Sequence, residues 1–396
     1  MKVLHICTVD EGGAALCCLR LHQTLLKQGV ESRVLFKKKS ANIPGVYQYK
    51  ETFKEFFIRL VSKFLRLLRI QVTERNKVYY LSKKYKKAYT LPVSSCDVSK
   101  NELVKWADII HLHWIDDFVD QPSFFKKVCK PIIWTLHDEA LFYGIAHYSN
   151  QVLKNNFLEE KYAEIKRNSL RNVDKLCLVM LSNYYYDKFE DNELLKTHLV
   201  KVINNPVDTN VFFSIPYLEA RKKYNFAPDD IVFAFTAMDI CDERKGLLVL
   251  SDVLYSINPN IKIMAIGSNS NNLCRPNVIS IGKLENPGEI REVLSASNYY
   301  ALPSSQEAFA QSPMEAMACG LPVVAFPVSG TKELINEDNG VICNDFTKES
   351  LKAGILKLLC KQYEADKIRQ DMIDRFSPEM IARKYISLYN ELIEHY

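Results

Sequence analysis

Short apolar runs alternate with helical stretches along most of this 396-residue chain, and this alternation restricts the fold more than any other feature. In the first half, the runs VLHICT, DIIHLHW, IIWTL and LCLVML are separated by longer segments with helical patterns. Strands that are buried on both faces read as continuous apolar runs, and parallel strands need helical connections. The order therefore predicts an α/β protein with parallel, doubly wound sheets.

The second half repeats this pattern. IVFAFTAM, KIMAIG and NVISIG read as strands, and ERKGLLVLSDVLYSI and GEIREVLSASN read as helices. Because 396 residues exceed what one hydrophobic core usually serves, we expect two domains. The stretch PVDTNVFFSIPYLEARKKYNFAPDD reads as the passage between them, and an amphipathic helix with a Ser-Pro start closes the chain.

Two carboxylates, Glu307 and Glu315, stand eight residues apart in the segment SSQEAFAQSPMEAMACGLP. Met, Glu and Ala favour a helix over PMEAMA, which puts Glu315 about one turn into the helix and Glu307 on the loop before it. Gln311 and Ser312 lie where the first amides of that helix lack intrahelical partners, so a phosphate can bind there. A phosphate site between two hydroxyl-binding carboxylates indicates a nucleotide sugar.

Ordinary surface charge is the alternative explanation of the two glutamates. The surrounding sequence argues against it: ASNYYALPSS reads as a strand that ends in turn residues, and GLPVVAFPVSGTKELI reads as a turn, a buried strand, a loop and a helix start. Because ligands bind at the carboxyl ends of parallel strands, this context favours a binding site.

The segment closely resembles the donor-site signature of the family-four retaining glycosyltransferases, which have the GT-B fold. Glu307, Glu315 and Gly320 match its two glutamates and its small-residue helix, EAMACG. The resemblance extends through DIIHLHWID, KPIIWTLHD and VINNPVDTNVF, in the family's order, and points to the branch that makes bacterial envelope polysaccharides.

This resemblance implies two Rossmann-like domains that face each other across a cleft. Residues 1–210 would form the domain on the acceptor side, residues 211–375 the nucleotide-sugar donor domain, and residues 376–396 a helix that crosses back to the first domain. The implied reaction is transfer of a sugar from a nucleotide sugar, UDP- or GDP-linked, to a glycan or lipid-linked glycan. The anomeric configuration would be retained.

By the same resemblance, Glu315 binds the ribose hydroxyls and Glu307 binds a hydroxyl of the sugar. The resemblance assigns the rest of the segment to donor binding as well: Phe309, Ala310, Gln311 and Ser312.

Arg244 and Lys245 precede Gly246 at the start of a predicted helix, where a pair of cations is mildly unfavourable. The resemblance implies that Lys245 stabilises the departing nucleotide diphosphate. The family usually carries an arginine where Ile240 stands here, and Arg244 is the candidate substitute. Fixed cations and helix-end amides can stabilise the charge that develops on the leaving phosphate, so we expect no metal and no cofactor.

Gly12 and Gly13 lie between the first strand and a helix, an arrangement that can bind phosphate but that also makes ordinary tight turns. By resemblance, these glycines face the donor diphosphate and the acceptor. His137 follows the buried run IIWTL, and the resemblance places it against the donor sugar near the reacting carbon. His111 and His113 alternate along one strand, and we predict a structural role for both.

The cysteines predict a reducing compartment. Six of the eleven lie in or beside apolar strand or helix candidates without C-x-x-C spacing, so we expect reduced core residues and no zinc: Cys7, Cys129, Cys177, Cys241, Cys319 and Cys343. The start MKVLHICTVDEGG lacks the features of a signal peptide, and no run approaches the roughly 20 apolar residues of a membrane span. We expect a cytoplasmic protein.

Residues 51–90 carry eleven Lys or Arg against three Glu, a local net charge of +8 compared with +5 for the whole chain. Within residues 51–70, Phe and Leu occupy one helical face. Four basic residues are predicted on the other: Arg59, Lys63, Arg66 and Arg69. This pattern favours peripheral association with the anionic inner face of the cytoplasmic membrane over nucleic-acid binding. A helix that packs on its own domain is the open alternative.

Two other functions remain open from the sequence. A nucleotide-sugar epimerase shares the GT-B fold but needs further acid and base carboxylates across the cleft. A non-catalytic module that binds a sugar nucleotide is the other. The E-A-F segment and the EAMACG helix favour transfer over both.

Overall fold

The computed structural model describes residues 1–40, 42–269, 275–307, 309–328 and 330–395. The chain divides into two compact units. The first contains Met1–Leu181, Tyr186–Ile203 and the chain from Ala382, and the second contains Ser182–Tyr185 and Asn204–Ile381.

The first unit is built on a parallel sheet that has, in the described residues, seven strands in the order β3-β2-β1-β4-β5-β6-β7. The strands are β1 (Lys2–Val9), β2 (Glu31–Lys38), β3 (Val46–Gln48), β4 (Ile109–Leu112), β5 (Ile132–Thr135), β6 (Leu176–Met180) and β7 (Leu199–Val202). Every residue of β4, β5 and β6 is buried, as expected for strands covered on both faces. In the register of β1 and β4, His5 pairs with His111.

The helices of this part of the chain are α1 (Gly13–Lys27), α2 (Phe53–Leu67), α3 (Glu74–Tyr85), α4 (Glu102–Trp106), α5 (Gln121–Lys127), α6 (Phe157–Leu170), α7 (Asn183–Phe189) and α8 (Glu193–Thr197). Thr52 starts α2 with a reciprocal capping box, because its side chain accepts from the amide of Glu55 while the Glu55 carboxylate accepts from the amide of Thr52.

The second unit has, over its described residues, a parallel sheet of six strands in the order β10-β9-β8-β11-β12-β13. The strands are β8 (Val232–Asp239), β9 (Lys262–Ser268), β10 (Val278–Gly282), β11 (Tyr299–Leu302), β12 (Val323–Ala325) and β13 (Gly340–Ile342). The remaining helices are α9 (Tyr217–Lys223), α10 (Leu247–Ile257), α11 (Pro287–Ala296), α12 (Gln311–Ala318), α13 (Thr331–Leu334), α14 (Lys348–Leu359), α15 (Ala365–Phe376) and α16 (Pro378–His395). No helix among the described residues is long and apolar enough to cross a membrane.

The two parallel sheets with helical connections confirm the predicted α/β class. The prediction that all six singled-out cysteines are core residues is wrong for two of them. Cys129 and Cys241 are exposed, because each lies on a connection just beyond an element rather than within it. None of the described cysteines forms a disulfide.

Helix α2 packs on its own unit, but it does not do so through its apolar face. Its buried residues are the polar Glu55 and Ser62, whereas Phe53, Phe57 and Phe64 are exposed. The helix is therefore held through its polar side.

Candidate active site

The turn after β8 sets the position of Lys245, which ends a short 3-10 helix, Glu243–Lys245. Gly246 follows with φ of 76°, and a Cβ at this position would collide with the carbonyl oxygen of Pro303. Only glycine combines that backbone conformation with so close an approach. Gly246 thus lets the Lys245 turn pack against the segment that follows β11.

This packing brings Lys245 to Glu307, one of the two predicted carboxylates. Lys245 Nζ lies 2.5 Å from Glu307 Oε1, although the residues are 62 positions apart in the chain. The two side chains are only 20% and 12% exposed, so water screens the pair less than it screens a fully exposed ion pair.

Arg244 is held in the same turn by its own hydrogen bonds. Its guanidinium Nη1 donates to the carbonyl of Gln306 at 3.0 Å, and Nη2 lies 3.2 Å from Asp242 Oδ2. The Arg244 carbonyl accepts from the amide of Ser305 at 2.9 Å. Arg244 therefore ties the turn to the Glu307 loop, next to Lys245. Ile240, the position at which the resemblance led us to expect an arginine, is a buried core residue.

Helix α12 begins at Gln311, two residues before the predicted PMEAMA stretch, and it carries Gln311, Ser312 and Glu315. Its N-cap residue is Ala310, which has no side-chain oxygen to occupy the helix end. The positive end of the helix dipole therefore faces the loop that carries Glu307. Glu315 itself is 8% exposed, so this carboxylate is fixed within the second unit.

A small recess borders the Glu307 carboxylate. It is lined by residues before and at the start of α12, including Phe309 and Ala310, and by Gly330 and Thr331 at the start of α13. A Cβ on Gly330 would overlap the ring of Phe309, so glycine is required for this approach. The second unit thus contains Lys245, Arg244 and the described residues of the predicted donor segment.

Gly12 and Gly13 lie in the first unit, between β1 and α1. Gly12 is the N-cap of α1 with φ of 89°, a conformation that favours glycine. A Cβ added at either glycine would meet no atom within 4 Å. The backbone in front of α1 is therefore open to a close approach by a ligand.

His137 follows β5 and ends a row of three hydrogen-bonded imidazoles. His5 Nδ1 lies 3.0 Å from His113 Nε2, and His113 Nδ1 lies 3.0 Å from His137 Nε2. His5 and His113 are buried, whereas His137 is half-buried at the end of the row. Burial lowers the pKa of His137 to about 4, so this imidazole is neutral at physiological pH.

His111 is buried beside this row and has the structural partners expected of it. Its Nδ1 lies 2.8 Å from the Tyr389 hydroxyl, and its Nε2 lies 2.8 Å from Thr135 Oγ1. His113, by contrast, contacts His137 directly. The sequence predicts a structural role for both histidines, but only His111 is limited to contacts with core residues.

A second polar network, which the sequence did not predict, surrounds Asp138. Its carboxylate accepts from Trp114 Nε1 at 3.1 Å and lies 2.7 Å from His147 Nδ1. His147 lowers the pKa of Asp138, which is therefore ionised. His5 was missed as well. The sequence did contain a signal for His5 and His113. Each is a polar residue inside an otherwise apolar strand, VLHICT for His5 and HLHW for His113.

Among the residues that the structure describes, one group of side chains has the composition of a metal site. His5, Cys18 and His113 each place a ligand atom within 4.8 Å of the others, and all three are buried. Burial raises the pKa of the Cys18 thiol well above its usual value, which disfavours the thiolate that metals bind. Both nitrogens of His113 already take part in the imidazole row. We assign no metal to this group.

The chain is similar to known proteins in sequence. Residues 217–375 match the family model described as "Glycosyl transferases group 1". N-acetyl-alpha-D-glucosaminyl L-malate synthase of Bacillus anthracis is 23% identical over 221 residues, which cover 52% of this chain and 57% of that protein. An uncharacterized glycosyltransferase of Methanocaldococcus jannaschii is 26% identical over 260 residues, which cover 64% of this chain and 65% of that protein. Each match spans less than two thirds of the relative.

Solved structures match over the whole chain at lower identity. Sucrose-phosphate synthase of Thermosynechococcus elongatus aligns with a TM-score of 0.70 and 17% identity, covering 100% of both chains. Anabaena HepE in complex with UDP-glucose aligns with a TM-score of 0.67 and 17% identity, covering 99% of this chain and 100% of HepE. These likenesses confirm the GT-B fold class. Residues 217–375 are thus similar to the glycosyl transferases group 1 family, within a chain of GT-B fold.

Proposed function

We propose that this protein is a glycosyltransferase that moves a sugar from a nucleotide-sugar donor to an acceptor with retention of the anomeric configuration. The observation that carries the proposal is the Lys245–Glu307 pair at the amino end of α12, within the family-matched residues. Residues 211–375 are assigned to the donor and residues 1–210 to the acceptor.

The chemistry of transfer accounts for this arrangement of charges. Cleavage of the anomeric bond develops positive charge on the sugar and negative charge on the leaving diphosphate. Lys245, with Arg244 beside it, and the positive end of α12 are fixed groups that would stabilise the leaving phosphate. The acceptor would attack on the face that the diphosphate leaves, assisted by a diphosphate oxygen, which retains the configuration.

Each donor group has a separate role in this proposal. Glu315, fixed on α12, binds the ribose hydroxyls, and Glu307 binds a hydroxyl of the sugar. Segment 309–312 lines the donor site around them. Anabaena HepE has been crystallised with UDP-glucose, and we extend that donor class to this chain as a UDP-sugar, with a GDP-sugar as the second choice. In the first unit, His137 would contact the sugar and Gly12 and Gly13 the diphosphate.

We propose that the acceptor is a glycan or a lipid-linked glycan. The reaction would take place at the inner face of the cytoplasmic membrane, in the synthesis of an envelope polysaccharide. The net charge of +8 over residues 51–90 supports this location, because basic segments are attracted to anionic lipid.

A donor-hydrolysis assay tests the activity itself. UDP-, GDP- and ADP-sugars are first screened for thermal stabilisation, since a ligand at 100 times its dissociation constant adds about 2.7 kcal/mol to the folding free energy. The stabilising donor is then incubated with the enzyme with and without EDTA. Release of nucleotide diphosphate in both samples is expected. An interconverted sugar would instead identify an epimerase, and an unchanged donor a binding module. Loss of activity with EDTA and its recovery with Mg²⁺ would refute the metal-free mechanism.

Retention is tested on the product. With a UDP-α-sugar, the coupling constant of the new anomeric proton in the NMR spectrum is expected to be that of an α-linkage. A β-linked product would identify an inverting enzyme and refute the proposed mechanism.

A further inference from the structure

Helix α2 presents a continuous apolar surface to solvent. Phe53 and Leu67, at its two ends, are 83% and 79% exposed, and Phe57 and Phe64 between them are each 58% exposed. The same side of the helix carries further exposed apolar residues: Phe56, Leu60, Val61 and Leu68. Single exposed apolar residues are common, but a whole helical face of Phe and Leu marks an interaction surface.

The opposite, polar face of α2 fixes this orientation. The buried Glu55 carboxylate accepts from the Tyr49 hydroxyl at 2.9 Å and from the amide of Asp97 at 3.0 Å. Seven residues further along the helix, the Ser62 hydroxyl donates to Asn76 Oδ1 at 3.0 Å. Turning the apolar face inward would break these buried hydrogen bonds, each of which is costly to leave unmade. The apolar face is thus held outward by the fold.

The basic residues of α2, together with Arg69 just beyond its end, divide into two groups. Arg59 pairs with Glu51 at 2.8 Å, and the Arg66 guanidinium lies 4.9 Å from the centre of the Tyr79 ring, so these two belong to the inner contacts. The other basic side chains are exposed: Lys54, Lys63 and Arg69. They lie along or just beyond the apolar face.

The three carboxylates of this region are all engaged within the protein. Glu51 binds Arg59, Glu55 is buried in the contacts above, and the Glu74 carboxylate accepts from Lys161 Nζ at 2.6 Å. The exposed charge around the apolar face is therefore positive. On α3, Lys77 and Lys84 line an open recess beside the start of α6.

We propose that the exposed face of α2 docks on an anionic lipid surface, with its Phe and Leu side chains among the acyl chains and Lys54, Lys63 and Arg69 at the headgroups. An apolar stripe with a positive rim fits that surface in both chemistry and shape. A second copy of this chain fits poorly, since it would set one positive rim against another. This proposal rests on the proposed function in one respect only, namely that the membrane presents a lipid-linked acceptor to the enzyme.

The test is co-sedimentation with vesicles of phosphatidylcholine alone and of phosphatidylcholine with an equal part of phosphatidylglycerol. The wild-type protein is expected to bind the anionic vesicles and to be released by high salt. Two double variants should each lower the binding at least tenfold: Phe57→Ser with Phe64→Ser, and Lys54→Glu with Lys63→Glu. The matched controls are Leu218→Ser and Lys352→Glu with Lys357→Glu, exposed residues of the second unit, which should bind as the wild type does.

Donor hydrolysis is measured on the same proteins and is expected to be unchanged, which separates this proposal from the proposed function. Equal sedimentation of the wild type and both α2 variants would overturn the docking surface. Loss in the lysine variant alone would also overturn it, since the contact would then be electrostatic without insertion. Concentration-dependent dimerisation that the phenylalanine variant abolishes, without vesicle binding, would identify a second copy as the occupant and refute the proposal.

Discussion

Lys245 Nζ lies 2.5 Å from Glu307 Oε1, so the cation that we assign to the leaving diphosphate and the carboxylate that we assign to the sugar are paired with each other. The pair holds both groups in place before a donor arrives. A diphosphate that binds Lys245 would compete with Glu307 for the Lys245 ammonium group. The Glu307 carboxylate would then become available to a sugar hydroxyl. Preorganisation of this kind lowers the cost of ordering the site during the reaction.

Replacing Lys245 by Ala should reduce turnover by roughly 100-fold or more, the usual effect of removing one preorganised group that stabilises a developing anion. Steady-state donor hydrolysis measures the loss, and circular dichroism should remain native. Lys283→Ala is the matched control, because Lys283 pairs with Glu285 at 2.9 Å on an exposed surface of the same unit. Turnover within a few-fold of wild type in Lys245→Ala would refute the assigned role.

The variants Glu307→Gln and Glu315→Gln should lose activity for different reasons. Glu315→Gln should weaken binding of free nucleotide diphosphate by roughly 1.5 to 3 kcal/mol, the cost of a charged hydrogen bond to ribose. Glu307→Gln should leave that affinity nearly intact, because its partner is the sugar. Isothermal titration calorimetry with UDP distinguishes the two. Equal affinity in both variants and the wild type would contradict the role of Glu315.

The row of imidazoles predicts which nitrogen of His137 carries the proton. His5 Nε2 is buried, and the residues that the structure describes offer it no hydrogen-bond partner. Orphaned buried N–H groups are rare, so the His5 proton should lie on Nδ1 and be donated to His113 Nε2. His113 Nδ1–H then donates to His137 Nε2, which leaves the His137 proton on Nδ1.

Long-range proton–nitrogen NMR correlation on histidine-labelled protein measures these tautomers, with the His137→Asn variant to assign the resonances. A single neutral Nδ1–H tautomer is expected for His5, His113 and His137. Finding His137 as the Nε2–H tautomer would reverse the predicted direction of the row.

The buried histidines also predict that the protein loses stability in mild acid. Burial lowers the pKa values of His5, His111, His113 and His137, the last to about 4, whereas each histidine titrates near 6.5 in the unfolded chain. Below pH 6.5 the unfolded state therefore binds more protons than the folded state. The stability that these groups contribute is fully present above pH 6.5 and is lost as the pH falls.

Each of these histidines should therefore lower the free energy of unfolding as the pH falls below 6.5. The raised pKa of His147 acts in the opposite sense, but its contribution is already complete below pH 6.5. Urea unfolding at pH 7 and pH 5 should show a clearly lower midpoint at pH 5. His198→Gln, outside the cluster, serves as a control variant that should keep this dependence. Equal midpoints at the two pH values would contradict the prediction.

Local patterns in the sequence predicted much of the fold and part of the candidate site. The strands β4, β5 and β6 were recognised because strands covered on both faces need continuous apolar runs. Glu307 and Glu315 were recognised because a helix-forming, small-residue segment follows a strand end. These are short-range properties of the sequence, and Glu307 and Glu315 are only eight residues apart.

The sequence by itself determined the α/β architecture, the carboxylate segment and the separation of apolar from basic residues in α2, because period and spacing are local. Only the tertiary structure decided that Lys245 meets Glu307 across 62 residues and that His5 meets His113 across 108. It also decided which face of α2 points outward. Periodicity requires that a helix have two different faces, but the buried hydrogen bonds of Glu55 and Ser62 with Tyr49, Asp97 and Asn76 determine which one is held inward.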